Sequence, residues 1–538
     1  MAIIEQQQHP TSRLVRNIVY NLIGQGTVLL VSFLAARFMF RRLGGDGFGV
    51  VYFNIFLTTV IIVVLDFGIS TTTIREISRS SHTEPDYIRD LIRTASIFYW
   101  GCALLLAVAI YFGTPFLVEH WIQLGSMSPS IAIPALRVLG IAALLALPRV
   151  LYTSLFRGVQ RMEFNNAIDV GTALLTQGGV VVILLMHGTL QAVAYWIAIV
   201  SVAMIATYTV AAGRLFGARA LVPGYSREVV RRNWRFGLHM VAISSLSLAF
   251  TQGTQLILSR LLPIAQFGLY AWLNNLAARA AFVPGAIAQA AQPSLNRLVS
   301  PRQEDVFQAQ YRKLQDLISF GTAPIFALIT FATLPLVGYL FSPSVAGTLL
   351  LPAAFLSLGF YMNAMLTLPF LVSLAVGRPD IATRANLAAL FVVLPVTAVL
   401  VIRFGLAGAA FSWVFYHLFA YLVQIPPYCR ECLHIPVRLW FERLLRAAVL
   451  IAASYGLSWI LVSLLGLRSL PGLTLGYLLA SVVYLAGAYF LIGPELRAAV
   501  RYRLTILWRL TPHPDPPPQG GREHLPDTRP PGGREHLS

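Results

Sequence analysis

Runs of about 20 apolar residues, the length that crosses a bilayer as a helix, recur from one end of this chain to the other. They fall at about 17 to 38, 48 to 70, 94 to 113, 131 to 156, 167 to 187, 190 to 212, 237 to 259, 267 to 296, 317 to 341, 346 to 376, 383 to 402, 405 to 427, 447 to 466 and 472 to 492. Charged or Pro/Gly-rich breaks separate them. Soluble domains average about 25% charged residues, whereas only 12% of these 538 residues are charged and 57% are hydrophobic, with a mean hydropathy of +0.69. A soluble fold is excluded. The expectation is an all-α polytopic membrane protein of about 14 transmembrane helices. The first run follows a polar leader and continues without a cleavage site, which predicts a retained helix rather than a signal peptide.

Charge gives the chain an orientation. Lys and Arg number 40 against 22 Asp and Glu, and Lys313 is the only lysine. In a soluble domain this excess would point to nucleic acid; in a polytopic chain it marks the cytoplasmic loops, and no nucleic-acid partner is expected. With the N-terminus inside, the tails and even-numbered connections carry 31 of the 40 basic residues, the outer connections carry 6, and Arg137, Arg149 and Arg279 lie within apolar windows. The expected topology is N-in and C-in. The outer connections are short, so no domain is expected on the far side.

The segments "RRLGGDGFG" and "RLLPIAQFG" align at an offset of 219 residues, pairing Arg41 with Arg260, Leu43 with Leu262, Phe48 with Phe267 and Gly49 with Gly268. Each joins the first helix of its half to the second. An even number of helices separates them, so the halves are expected to be parallel repeats of six helices related by an axis along the membrane normal, with a final helix pair added. The predicted divisions are a cytoplasmic tail over 1–16, a first lobe over 17–213, a linker over 214–236, a second lobe over 237–428, an interfacial helix over 429–446, helices 13 and 14 over 447–493, and a basic juxtamembrane helix with a Pro/Gly-rich tail over 494–538. The interfacial helix rests on Arg438, Glu442 and Arg446 at i, i+4 and i+8. The basic helix after Pro494 is of a kind drawn to anionic membrane lipids, and the tail is expected to be disordered.

These residues carry a resemblance. "LAARFMFRRLGGDGFGVVYF", "DFGIS" followed by "IREISR", "FRGVQRMEF" and "FGLYAWLNNL" are similar to segments of the lipid-linked oligosaccharide flippases of the multidrug/oligosaccharidyl-lipid/polysaccharide exporter superfamily. The resemblance runs from about Asn17 to Pro494. It implies two six-helix lobes plus a final pair, no catalysis and no cofactor. It further implies transport of undecaprenyl-diphosphate-linked sugar units across the bacterial inner membrane by alternating access, for O-antigen, capsule or exopolysaccharide. A polysaccharide polymerase and a chain-length regulator are the partners it suggests.

Charged side chains at the bilayer centre are costly, by about 2.5 to 3.5 kcal/mol on insertion scales, and those that persist face wet cavities or partners. Arg279, about 20 Å along helix 8, is the leading candidate for a cavity cation, since a guanidinium offers a diphosphate paired hydrogen bonds. The bland alternative is a buried arginine held by carbonyls or by Asn274 or Asn275. Arg149, directly after Pro148, and Arg137, nearer the outer boundary, are further cavity candidates; snorkelling to headgroups is their alternative. Arg41 and Arg260 read as interface anchors, and Arg37 as a residue of the outer mouth. Asp66 and Asp169 are weak candidates for ion coupling, with ion pairs to Arg75 and Arg161 as the simpler reading. Cys429, Cys432 and His434 resemble half a zinc site without the remaining ligands, so no metal is expected.

Two other functions compete. A cation-coupled drug exporter is expected to carry a membrane carboxylate, often in the first helix, and residues 17 to 40 contain none. A polymerase or transferase is expected to need a larger outer loop than the longest here, whose ionisable residues are Glu119 and His120.

Overall fold

The computed structural model describes residues 10–80, 83–298 and 303–510. The described residues up to Ile492 form one compact unit and those from Gly493 a second. The expected N-terminal tail lies mostly, and the Pro/Gly-rich tail beyond Leu510 wholly, outside the described residues.

The first half consists of α1 (Pro10–Leu65), α2 (Ile69–Ser80), α3 (Pro85–His120), α4 (Pro129–Ala143), α5 (Ala146–Gly158), α6 (Met162–Leu185) and α7 (Leu190–Phe216), followed by the short α8 (Ala218–Leu221). The second half consists of α9 (Arg227–Leu261), α10 (Ile264–Ala280), α11 (Phe282–Leu298), α12 (Glu304–Gly321), α13 (Ala323–Ala332), α14 (Gly338–Leu340), α15 (Pro343–Ala375) and α16 (Asp380–Pro427). Then come α17 (Val437–Ile451), α18 (Leu457–Leu464), α19 (Leu470–Leu491) and, in the second unit, α20 (Pro494–Leu510).

Among the described residues, ten helical stretches are long and apolar enough to cross a membrane. Two of them carry two sequence windows each: α1 is broken at Gly44 (φ 73°, ψ 178°) and α16 at Gly405 (φ 55°, ψ −130°). Both sit in the positive-φ region that glycine reaches without a Cβ penalty, at the two odd-numbered connections where the windows part. Windows 237 to 259 and 267 to 296 lie on α9 and on α10 with α11. Glutamine, asparagine, serine and threonine punctuate both windows, and several of these polar residues line the site described below.

Proline sets the other breaks. Pro148 has no N–H to give Leu144, and the chain between α4 and α5 tightens into i to i+3 bonds, with Leu145 N donating to Ala142 O and Leu147 N to Leu144 O. Pro284 likewise cannot donate to the carbonyl of Ala280, and the helix is interrupted at Ala281, two residues after Arg279.

The odd-numbered connections gather at one end. Asp46, buried, accepts hydrogen bonds from the backbone N–H groups of Gly125 (3.1 Å), Ser126 (2.7 Å) and Met127 (2.9 Å). The same connection reaches the second half: Trp121 Nε1 donates to Ser259 Oγ (3.0 Å), Gln123 Nε2 to the Arg260 carbonyl (2.9 Å), and Ile264 N to the Gln123 carbonyl (2.8 Å). The repeat segments themselves meet here. A Cβ on Gly268 would lie 2.5 Å from Gly49 Cα, and one on Gly49 would lie 2.1 Å from the Ile264 carbonyl oxygen, so only glycine lets these backbones touch. Phe40, Phe48, Trp272 and Phe341 close over this crossing, with ring centroids 4.8 to 5.7 Å apart for Phe40–Phe341, Phe48–Phe341, Trp272–Phe341 and Phe40–Phe48.

At the arginine-rich end, the first turns of α9 are fastened to α2 and α3. Arg232 pairs with Glu84 at 2.8 Å, Asn233 Nδ2 donates to the Tyr87 hydroxyl (2.9 Å), and Arg75 Nη2 donates to Asn233 Oδ1 (3.0 Å). The hydrogen bond from Arg232 holds the Glu84 carboxyl below the usual carboxylate range. The stretch read as linker up to residue 236 is therefore already helical from Arg227.

The predicted interfacial helix differs more. Residues Tyr428–Leu433 extend α16 as a π-turn, His434 (φ 49°) ends it, and α17 begins at Val437 and continues through a second π-turn into α18. The stretch with the i, i+4 spacing is the first part of the long apolar helical stretch Val437–Leu464, not a separate helix ahead of it. Arg438–Glu442 (2.7 Å) and Glu442–Arg446 (3.8 Å) form as that spacing requires. Trp440, however, is buried against Tyr421, with ring centroids 5.1 Å apart, so this face packs on protein.

Candidate functional site: a polar recess between the halves

A recess of about 280 Å³ opens where α1, α9 and α10 converge with α15 and α16. Its polar lining is Thr59 from α1, Gln252, Thr254 and Gln255 from α9, and Asn274 and Asn275 from α10. Tyr52, Tyr270, Phe56, Phe360 and Trp413 supply aromatic surface. None of the lining residues is charged.

Arg279 stands one turn beyond Asn275 on the same helix, fifteen residues from Ile264, or about 22 Å along the axis. Its side chain is exposed, and among the described residues it makes no ion pair or hydrogen bond. Tyr52, which lines the recess, lies within electrostatic reach of its guanidinium. Neither Asn274 nor Asn275 holds Arg279 as the bland reading supposed. Because α10 starts at the arginine-poor end, Arg279 sits on the arginine-rich side of the recess.

A second polar recess, about 360 Å³, lies within the first half near its arginine-rich end and is lined by Asp66, Ser70, Arg149, Thr153, Arg157 and Asp169, among others. Arg149 Nη2 pairs with Asp169 Oδ1 at 2.7 Å, and the Tyr208 hydroxyl donates to the same oxygen at 3.2 Å. Asp66 accepts from the Tyr99 hydroxyl (2.6 Å) and from Ser70 Oγ (2.7 Å). Two sequence expectations are thereby corrected. Asp169 pairs with Arg149 and not with Arg161, because the break before Pro148 turns Arg149 toward α6. Asp66 is held by hydroxyls and not by Arg75, whose guanidinium goes to Glu76 and Asn233.

The remaining candidates take separate places. Arg137 donates from Nε to the Tyr111 carbonyl (3.0 Å) and lies over the Tyr111 ring at 4.6 Å, away from both recesses. Arg37 donates to the Tyr339 carbonyl and stacks 3.8 Å above the Tyr339 ring, while Arg41 Nη2 reaches the same carbonyl at 3.3 Å. These two tie α1 to α14 at the arginine-poor end. His434 pairs with Glu304 at 2.8 Å rather than joining the two cysteines, and among the described residues no cluster of three or more potential metal ligands forms.

Sequence reasoning singled out Arg279 but passed over Gln252, Gln255, Thr59 and Trp413. Amides and hydroxyls in an apolar run are individually unremarkable. The gathering of amides and hydroxyls in the windows over 237–259 and 267–296 was the signal present.

A family model described as polysaccharide biosynthesis protein matches residues 14–299. The "Putative O-antigen transporter" of Shigella flexneri is 21% identical over 405 residues, covering 74% of this chain and 94% of that protein. Among solved structures, lipid II flippase MurJ in an inward closed conformation superposes with a TM-score of 0.62 at 12% identity, over 91% of this chain and all of that one. An inward-facing multidrug resistance MATE transporter of the MOP superfamily does so with a TM-score of 0.58 at 14% identity, over 77% and 95%. At these identities the likeness to the solved structures is one of fold.

Proposed function

The chain belongs to the polysaccharide biosynthesis protein family, and we propose that it is a flippase carrying undecaprenyl-diphosphate-linked oligosaccharides from the cytoplasmic to the outer leaflet of a bacterial inner membrane. The observation that carries this reading is the recess between the halves, lined by four amides and a wall of aromatic rings, beside an arginine that among the described residues has no partner. A multi-pass chain has no structural need for four amides and a guanidinium without a partner among the described residues at that depth, where polar groups are costly unless they meet water or cargo. An anionic lipid-linked head group supplies what those groups lack: a diphosphate for Arg279 and hydroxyls for the amides.

With the arginine-rich end cytoplasmic, both termini are inside and the Gly49/Gly268 crossing is the outer seal. The recess then receives cargo from the inside, and release requires the lobes over 17–213 and 237–428 to part at that seal. Arg149 belongs to a polar site of the first lobe, where Asp66 and Asp169 are the groups available for ion coupling. Arg37 guards the outer end, and Arg137 stands at the lobe's periphery. A polymerase and a chain-length regulator are the partners expected to act on the delivered units, and anionic lipids the partners of α20. Drug export has less support, because no carboxylate lines the recess.

The test is loss of function in a strain with no redundant flippase. Deletion should deplete surface polysaccharide and make lipid-linked units accumulate. Normal surface polymer would refute the proposal.

A further inference from the structure

Gln252, Gln255, Asn274 and Asn275 reach the recess from two helices, and among the described residues none of their side chains has a hydrogen-bond partner. Gln255 is 9% exposed, so what reaches its amide comes through the recess. Trp413 lines the same space, and its Nε1 is buried without a partner. Each amide offers both a donor and an acceptor, which is the pattern of a sugar hydroxyl. Faces of Trp413, Phe360, Phe56 and the two tyrosines offer apolar surface for the C–H side of a ring. At about 280 Å³ the recess lies at the small end of ligand pockets, which run about 300–1,000 Å³, and suits a single sugar rather than a chain. It contains no cation to meet a carboxylate, and burying one there unpaired would be costly.

Resting on the flippase reading, we infer that this recess is a subsite for one uncharged sugar, the one attached to the diphosphate, and that it discriminates against a uronic acid at that position. Arg279 fixes the direction of the cargo. It lies on the arginine-rich side of the amides, one turn or about 6 Å from Asn275, so the sugar enters ahead of the diphosphate and points toward the Gly49/Gly268 seal. Specificity for the first sugar then resides in the amide set, and affinity for the lipid carrier in the arginine.

Binding to the purified full-length protein in lipid nanodiscs tests this with four probes: undecaprenol, undecaprenyl diphosphate, and the latter bearing either N-acetylglucosamine or glucuronic acid. The neutral sugar form should bind about tenfold tighter than the uronic form, and tighter than the bare diphosphate. Asn274→Leu and Gln255→Leu should abolish the gain over the bare diphosphate while leaving affinity for the latter unchanged, which also shows that the variants fold. Arg279→Gln should weaken all three diphosphates alike. A uronic form that binds as tightly as the neutral one overturns the subsite and leaves the flippase reading standing. If no diphosphate binds better than undecaprenol, the flippase reading itself falls.

Discussion

Arg279 could be singled out in the sequence because a guanidinium within an apolar window violates the expectation for a lipid-facing helix. Its neighbours could not, since each amide alone is compatible with a helix–helix contact. Arg279→Ala is expected to reduce surface polysaccharide severely at unchanged protein abundance, and Arg279→Lys to restore part of it, because an ammonium returns the charge without the paired geometry. Surface polymer normalised to membrane protein measures both. Arg149 and Asp169 were each visible as intramembrane or near-membrane charges, but their pairing was not, because it depends on how the chain turns before Pro148. Both side chains are partly exposed, at 33% and 40%, so Asp169→Ala should cost only on the order of 1 kcal/mol. The double variant with Arg149→Ala should be less destabilised than the sum of the singles. Additive thermal unfolding shifts would mean that the two groups are not coupled.

At the scale of elements, every sequence window coincides with helix, since a bilayer leaves helices as the way to satisfy the backbone within one segment. What the windows could not show is how adjacent helices join. Gly44 and Gly405 fold two long helices with single residues, whereas the stretch from Val437 continues into the helix that follows, with Trp440 packed on Tyr421. The 219-residue repeat was legible, and the structure adds that its two copies touch. Gly268→Ala places a Cβ 2.5 Å from Gly49 Cα, against backbone that must shift. It should cost on the order of 1–3 kcal/mol and hold the seal ajar, so that a cysteine at Phe341 becomes reactive to an impermeant reagent. Unchanged reactivity and stability would show that the crossing is not closely packed.

For the whole molecule, two halves meeting around a polar recess were foreseeable from the even helix count and the repeat, but the recess itself depends on α9, α10 and α16 converging. Orientation rests on 31 basic residues on one side against 6 on the other. Single cysteines at Glu119 and Gln123 should therefore label from outside, and those at Glu228 and Arg231 only after permeabilisation; the opposite pattern would invert the assignment. The proposed function is movement of a lipid-linked sugar between leaflets. The direct measurement is the fraction of undecaprenyl-diphosphate-linked sugar reached by an external, membrane-impermeant glycosidase or lectin in spheroplasts. This fraction is expected to fall on deletion while total lipid-linked sugar rises, to be restored by wild-type protein, and not to be restored by Arg279→Ala. An outer-leaflet fraction that deletion leaves unchanged, with no second flippase present, would contradict it.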